Sequence, residues 1–160
     1  MTTALTLTNI SKIFGETRAV DNVSLKIEKG QFIGVIGRSG AGKSTMLRLI
    51  NRLIDPTAGS VAFQGTEITT LKGKQLRTWR RDCAMIFQQF NLVERLNVLT
   101  NVLIGRLAVH GFISSMAMQF TDQERTMALE ALDRLDLVPQ ALQRAGTLSG
   151  GQQQRVAIAK

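Results

Sequence analysis

The sequence predicts an α/β fold organised around a glycine-rich loop, on the basis of three neighbouring patterns. The loop, Gly37 to Thr45, follows a short apolar run, Phe32–Ile36, that is typical of a buried strand. After the loop, apolar residues recur at helical spacing from Met46 to Leu53. A second apolar run, Cys83–Phe87, is bounded by charged residues and amides and predicts another buried strand of a parallel sheet.

The loop fits the phosphate-binding pattern G-x-x-x-x-G-K-[ST] at every fixed position. Its residues are Gly37, Arg38, Ser39, Gly40, Ala41, Gly42, Lys43, Ser44 and Thr45. Glycines let backbone amides approach a triphosphate more closely than a Cβ would permit, and amides that open a helix face the anion. Lys43 adds a positive charge between the β- and γ-phosphates, and the Ser44 hydroxyl suits Mg²⁺. A glycine turn without a ligand is the alternative, but the flanking strand and helix favour a P-loop NTPase that binds ATP and Mg²⁺.

Two alternating runs ahead of the loop predict a small antiparallel sheet. Leu5–Thr8 alternates between apolar and polar residues, and Val23, Leu25 and Ile27 alternate again before a turn at 28–30. The other short elements that we expect in this half are the strand Ser60–Gln64 and the polar helix Lys74–Arg81.

The composition argues against a membrane-spanning or disulfide-linked protein. The 160 residues are 44% hydrophobic, which is enough for about one globular domain. No apolar run reaches the roughly 18 residues that a spanning helix needs, and no apolar signal segment opens the chain, so we expect a cytoplasmic protein. The single cysteine, Cys83, cannot form an internal disulfide, and its apolar neighbours predict ordinary packing.

The net charge of +8 raises the question of a nucleic acid or an anionic membrane as a partner. The basic residues are scattered, and their densest patch, Arg77–Arg81, contains a single aromatic residue. Such a patch is typical of a solvated helix face. We therefore expect no nucleic-acid partner.

The second half of the chain has a helical pattern. Val98, Val102 and Leu103 share one predicted helix face, and Thr121–Glu124 is a capping box that opens another helix. Because no heptad repeat runs through this region, it predicts a compact helical subdomain rather than a coiled-coil arm. The divisions that we predict are a nucleotide-binding core at 1–90, a helical subdomain at 91–147 and a final segment at 148–160.

Three other parts of the chain are candidates for binding the same nucleotide. Gln88 follows the second predicted strand at its carboxyl end, where open α/β sheets place ligands. Ser149 is a natural N-cap, and Gly150 and Gly151 leave amides bare at the start of a helix, which makes a second anion-binding end. Phe14 lies at the end of a strand, where an exposed ring can stack on a base, although a phenylalanine there is more often part of the core.

Together these motifs resemble those of the nucleotide-binding subunits of ABC transporters. Gly37–Thr45 matches the Walker A loop, Gln88 matches the Q-loop, and residues 148–152 match the signature Leu-Ser-Gly-Gly-Gln in full. Phe14 falls where the family carries its base-stacking aromatic residue, and Val20 falls where a small apolar residue packs against the same ring. The resemblance implies an ABC ATPase core with an antiparallel β piece and a helical subdomain.

The resemblance also implies how such a site works. In this family two subunits close head to tail, so that ATP on one Walker A loop is covered by the signature of the other. Lys43 and Gln88 would then be catalytic in cis, and Ser44 and Gln88 would be ligands of Mg²⁺. The signature residues that would bind the nucleotide in trans are Ser149, Gly150, Gly151 and Gln152. The implied partners are a second ATP-binding subunit, transmembrane permease subunits and, indirectly, a periplasmic binding protein, at the cytoplasmic face of the bacterial inner membrane.

A finer resemblance is to the ATP-binding subunits of bacterial phosphonate importers. It rests on residues 87–93, 101–107 and 149–155, and the Leu-Ile-Gly-Arg-Leu run at 103–107 is the more discriminating part. It implies ATP hydrolysis that drives phosphonate uptake. Importers of amino acids, metals or lipids remain alternatives, as do a P-loop kinase and the ATPase head of a DNA-repair or chromosome protein.

The chain departs from the family pattern in one respect. It ends in the helix after the signature, before the Walker B strand, the catalytic glutamate and the switch histidine of the family. The only histidine, His110, lies in the helical insert. We therefore expect a C-terminally incomplete fold whose 160 residues bind nucleotide weakly if at all and do not turn it over, whereas the intact parent is an ATPase.

Overall fold

The computed structural model describes residues 3–107 and 120–160. The chain divides into two compact units, Met1–Met85 and Ile86–Lys160. We describe each unit by itself. The predicted helical subdomain at 91–147 is covered only in part, and His110 lies outside the described residues.

The first unit contains an antiparallel sheet with the strand order β2-β1-β3-β4. The strands are β1 (Thr3–Phe14), β2 (Thr17–Glu28), β3 (Ala58–Phe63) and β4 (Thr66–Glu67). In β1, Leu7 lies opposite Leu25 on one side and Val61 on the other, so apolar residues face one another across three strands. The predicted antiparallel piece is confirmed, although its strands extend further than the alternation indicated.

Two helices accompany this sheet. They are α1 (Lys43–Ile50), directly after the glycine loop, and α2 (Gly73–Asp82). Leu49 of α1 is fully buried among core residues of the sheet. The α2 helix has no fully buried residue, which confirms the solvated basic face. Its Trp79 nevertheless packs on Phe63, with ring centroids 5.3 Å apart, and donates a hydrogen bond to the Ile50 carbonyl.

The two predicted buried strands, Phe32–Ile36 and Cys83–Phe87, are wrong for the described residues. Neither run is a strand, and residues 31–40 are all exposed, with Phe32 at 98% and Ile36 at 97%. A buried parallel strand needs paired strands on its edges and cover on both faces. The described strands pair only with one another in the antiparallel sheet, so the apolar runs have no strand beside them.

The second unit is helical. Within residues 86–107 and 120–160 its elements are α3 (Val98–Ile104), α4 (Asp122–Asp133) and α5 (Gly150–Ala159), with short 3-10 turns at Val138–Gln140 and Ala145–Thr147. Val98, Val102 and Leu103 are buried in one cluster with Leu132 and Val156, which confirms that they share one face of a helix. No helix within 3–107 or 120–160 is long and apolar enough to cross a bilayer.

Candidate nucleotide-binding site

The glycine loop has the backbone conformation that its glycines permit. Gly40 and Gly42 both have a φ of 81°, in the left-handed region that disfavours any residue with a Cβ. The Ala41 amide donates to the Arg38 carbonyl at 3.2 Å and so closes a tight turn. Gly42 is then the N-cap of α1, and the loop leads directly into the helix.

Gly42 is also the point at which the loop meets the sheet. A Cβ on this residue would lie 2.0 Å from the Ala19 carbonyl oxygen and 3.6 Å from Cγ2 of Val20. Only glycine can approach a strand backbone so closely. Val20 is 6% exposed and belongs to the core of this unit, so at Gly42 the loop lies against a buried core side chain.

Lys43 is held by the loop that precedes it. Its ammonium donates to the carbonyl oxygens of Gly37 and Arg38, at 2.7 Å each. Met46 is the first residue whose amide bonds back into the helix, to Gly42 at 2.9 Å. The amides of Lys43, Ser44 and Thr45 have no partner among the described residues, as expected for the first turn of a helix. Bare amides and an ammonium at one helix end are groups suited to an anion.

Phe14 ends β1 with 48% of its surface exposed, so it is not a core residue. The Lys12 ammonium lies 5.0 Å from the centroid of the Phe14 ring and donates to the Asp55 carbonyl at 2.7 Å. The ring therefore remains accessible for stacking, as the sequence predicts for a base-binding aromatic residue.

A buried arginine that sequence reasoning missed, Arg52, lies just after the C-terminal end of α1 and forms several hydrogen bonds there. The Arg52 guanidinium donates to the Asp55 carboxylate at 2.7 and 3.0 Å and to the Ile68 carbonyl. The Arg80 guanidinium in turn donates to the Arg52 carbonyl. The Arg-x-x-Asp spacing is a local signal for the first contact, but nothing in the sequence indicates the other two.

Cys83 contacts Asn51, the residue that precedes Arg52. Its thiol donates to the side-chain oxygen of Asn51, and burial raises the pKa of the thiol. The half-buried position agrees with the ordinary packing that the sequence predicts.

Gln88 lies in the second unit, in an exposed turn. The two residues at the end of this turn, Phe90 and Asn91, have φ values of 53° and 50°, and the Phe90 amide donates to the Phe87 carbonyl at 3.0 Å. The Asn91 carbonyl accepts a hydrogen bond from the Lys160 ammonium at 2.9 Å. The turn after Gln88 is thus tied to the end of α5, which carries the signature at its other end.

Asn101, which sequence reasoning also missed, binds the backbone of Val93, just after this turn. It is 0% exposed, and its side chain accepts from the Val93 amide at 2.8 Å and donates to the Val93 and Asn97 carbonyls at 3.1 and 3.0 Å. The Asn101 side chain thus pairs with both backbone polar groups of Val93, as a neighbouring strand would, and fixes the backbone at that residue.

The signature residues form a complete helix cap, which confirms Ser149 as an N-cap. The Gln152 amide donates to the Ser149 hydroxyl at 3.3 Å, and the Ser149 amide donates to the Gln152 side chain at 2.9 Å. This is a capping box, so the Gln152 side chain is engaged within its own helix. A Cβ on Gly150 or Gly151 would meet nothing within 4 Å, so the backbone of both residues is open to a ligand.

The candidate residues therefore form two groups. The first unit contains the loop, Phe14 and Val20, of which Val20 lies against Gly42 of the loop, and the second contains Gln88 and the signature cap. Within 3–107 and 120–160, no cluster of three or more His, Cys, Asp or Glu side chains could hold a metal ion. The roles of Ser44 and Gln88 toward Mg²⁺ remain predictions.

A glycine loop that contacts β2 through Gly42 and opens a helix with bare amides beside a lysine is typical of a P-loop nucleotide-binding protein. The model of the ABC transporter family matches residues 20–160, and the chain belongs to that family.

Comparison with known proteins refines this assignment. The chain is 59% identical, over 96% of its length, to the phosphonates import ATP-binding protein of Rhizobium meliloti (strain 1021), and equally so to its counterpart from Agrobacterium fabrum. It spans about 55% of the length of the first and 54% of the second.

Solved structures confirm the fold class. The dimeric structure of MJ0796, a bacterial ABC transporter cassette, matches with a TM-score of 0.80 and 38% identity, over 97% of this chain and 67% of that one. The ADP conformation of MJ1267, an ATP-binding cassette, matches with a TM-score of 0.78 and 28% identity, over 99% and 64%. The chain thus has part of the α/β fold of an ABC ATPase.

Proposed function

We propose that the protein containing this chain is the ATP-binding subunit of a phosphonate importer and that it hydrolyses ATP to drive uptake. The observation that carries the proposal is the loop at 37–45, whose bare helix-opening amides and loop-bound Lys43 ammonium suit a nucleoside triphosphate. The names of its relatives support the choice of solute, since phosphonates import ATP-binding proteins are 58–60% identical to it.

Each candidate residue of the loop has a part in this proposal. The amides of 43–45 and the Lys43 ammonium bind the phosphates, and the ammonium stabilises the negative charge that develops on the γ-phosphate. Ser44 and Gln88 are the residues that would hold Mg²⁺. The hydroxyl and amide oxygens of these exposed side chains are the hard ligands that Mg²⁺ accepts, and it needs few of them because it keeps most of its waters. When bound, Mg²⁺ supplies further neutralisation of the phosphate charge.

The signature cap supports a dimer. One solved relative is described as a dimeric cassette. We propose a homodimer in which Ser149, Gly150, Gly151 and Gln152 of one subunit cover the nucleotide on the other. The exposed backbone of Gly150 and Gly151 at the start of α5 supports this role, because the positive end of a helix attracts an anion.

An open cleft in the second unit is a candidate surface for a permease partner. It has a volume of about 390 Å³, and it lies between α4 and the last turn of α5. Its lining residues include the half-exposed Met127 and Ile158, with Glu130 and Arg134 among the polar ones. We propose that membrane-spanning permease subunits dock on this unit, with the protein peripheral on the cytoplasmic face of the inner membrane and a periplasmic binding protein delivering the solute.

Replacing the loop lysine tests the nucleotide site. Lys43→Ala in the whole protein should weaken ATP binding by about 10- to 150-fold, because a charged hydrogen-bond donor to phosphate contributes roughly 1.5–3 kcal/mol. Lys74→Ala, at an exposed lysine of α2, is the matched control and should bind like the wild type. Equal affinities of the two variants in a calorimetric titration would contradict the assignment.

Growth on phosphonate tests the solute. A strain that lacks the gene should fail to grow with a phosphonate as its sole phosphorus source, and the wild-type gene should restore growth while the Lys43→Ala gene should not. Normal growth of the deletion strain on phosphonate, together with a defect on an amino acid or a metal, would assign the subunit to another importer.

A further inference from the structure

The end of β1 carries a lysine and a phenylalanine that face the same side. Lys12 and Phe14 are two residues apart in an extended strand, and side chains at that spacing point to one face. The Lys12 ammonium lies 5.0 Å from the Phe14 ring centroid, within the roughly 6 Å over which a cation is attracted to an aromatic face. No part of the proposed phosphate site uses this lysine.

The lysine is held in place independently of the ring. Its ammonium donates to the Asp55 carbonyl at 2.7 Å. The neighbouring Thr57 is bonded to β1 on both sides, because its hydroxyl accepts from the Ile13 amide at 3.1 Å and its amide donates to the Ser11 carbonyl at 2.8 Å. Because the Lys12 ammonium is bonded to the Asp55 carbonyl, its position beside the Phe14 ring is fixed by the backbone.

We propose that Lys12 is a positioning residue for the nucleobase of the bound nucleotide. It holds the Phe14 ring in the orientation in which the exposed part of that ring stacks on a purine. The inference rests on the proposed function, since it assumes that a nucleotide occupies the loop. A ring that is already oriented loses less rotational freedom when the base arrives, and stacking is then stronger.

A purely structural lysine would behave differently. If Lys12 only joined β1 to the Asp55 turn, its loss would loosen this end of the sheet and affect every ligand of the adjoining loop alike. A residue that acts through the ring affects only ligands that contain a base. The two roles are therefore separated by comparing ATP with inorganic triphosphate, which has the phosphates but no base.

The experiment measures the dissociation constants of ATP and of inorganic triphosphate for the whole protein, with Mg²⁺ present. Lys12→Met should raise the dissociation constant for ATP by about two- to fivefold and leave that for triphosphate unchanged. Lys12→Arg should restore ATP binding, because it keeps the cation. Lys26→Met, at an exposed lysine of β2, is the matched control and should change neither constant.

A Phe14→Leu background completes the test. There the Lys12→Met change should have no further effect on ATP, since the two residues act as one unit. The inference is overturned if Lys12→Met weakens both ligands equally or weakens ATP just as much without the ring. If the wild-type protein binds neither ATP nor triphosphate, the proposed function fails first and the inference fails with it.

Discussion

Gly42→Ala is the substitution that tests most directly how the loop is built. A methyl group at this position meets two separate penalties. The φ of 81° lies in the left-handed region, which costs a residue with a Cβ about 1–2 kcal/mol. The new Cβ would also lie 2.0 Å from the Ala19 carbonyl oxygen, so β2 and the loop must move apart, at a further cost of about 1–3 kcal/mol typical of overpacking.

Gly40→Ala is the matched control, because it shares only the first of these penalties. Gly40 has the same φ of 81°, and a Cβ there would meet nothing within 4 Å. We expect a loss of about 1–2 kcal/mol in the unfolding free energy for Gly40→Ala and of about 2–5 kcal/mol for Gly42→Ala. The difference between the two variants isolates the contact between the loop and the sheet.

Urea unfolding followed by the fluorescence of Trp79 measures both values. Trp79 is the single tryptophan of the chain and packs on Phe63 in the same unit as the loop. Midpoints and slopes convert to free energies by linear extrapolation. If the two variants lose the same stability, the Ala19 contact is not a constraint and the reasoning is refuted.

Two further predictions concern the signature cap and the half-buried thiol of Cys83. Ser149→Ala should lower the unfolding free energy by about 1 kcal/mol in a denaturant titration, because it removes the hydroxyl that accepts from the Gln152 amide, whereas Ser149→Thr should retain most of it; equal losses would contradict the cap. Burial raises the pKa of Cys83 above its ordinary value of 9.0, so at a given pH the folded chain holds less thiolate than the unfolded chain. The rate of alkylation by iodoacetamide should therefore rise with pH at a higher midpoint in the folded chain than in denaturant, and a coincident midpoint would disprove the effect.

Features that depend on a few neighbouring residues were predictable from the sequence. The capping box at Thr121–Glu124 and the N-cap Ser149 form as expected, because each partner lies within one helical turn. The antiparallel pairing of β1 with β2 agrees with the alternation at Leu5–Thr8 and at Val23, Leu25 and Ile27, although the turn at Gly15, with a φ of 55°, was not predicted. Local geometry decides such features, so a short window of sequence is sufficient.

Features that depend on distant partners were not predictable. Phe32–Ile36 is apolar enough for a buried strand, but hydrophobicity reports only that a segment favours burial and not which strand lies beside it. The side chain of Arg52 is buried because the Ile68 carbonyl, 16 residues further along the chain, is there to accept a hydrogen bond from it. A buried polar residue without such partners would be unfavourable, so its position is set by the fold rather than by its neighbours in the chain.

The motif correctly requires glycines in the loop, but it gives only part of the physical reason for them. The pattern attributes all of them to the close approach of a phosphate, yet each has a different role within the protein itself. Gly40 permits a left-handed turn, Gly42 permits contact with the Ala19 carbonyl, and a Cβ on Gly37 would meet the Cβ of Ala41 at 3.3 Å. Because the loop is shaped by contacts within the first unit, its amides are arranged before any ligand arrives, and little ordering of the backbone remains to oppose binding.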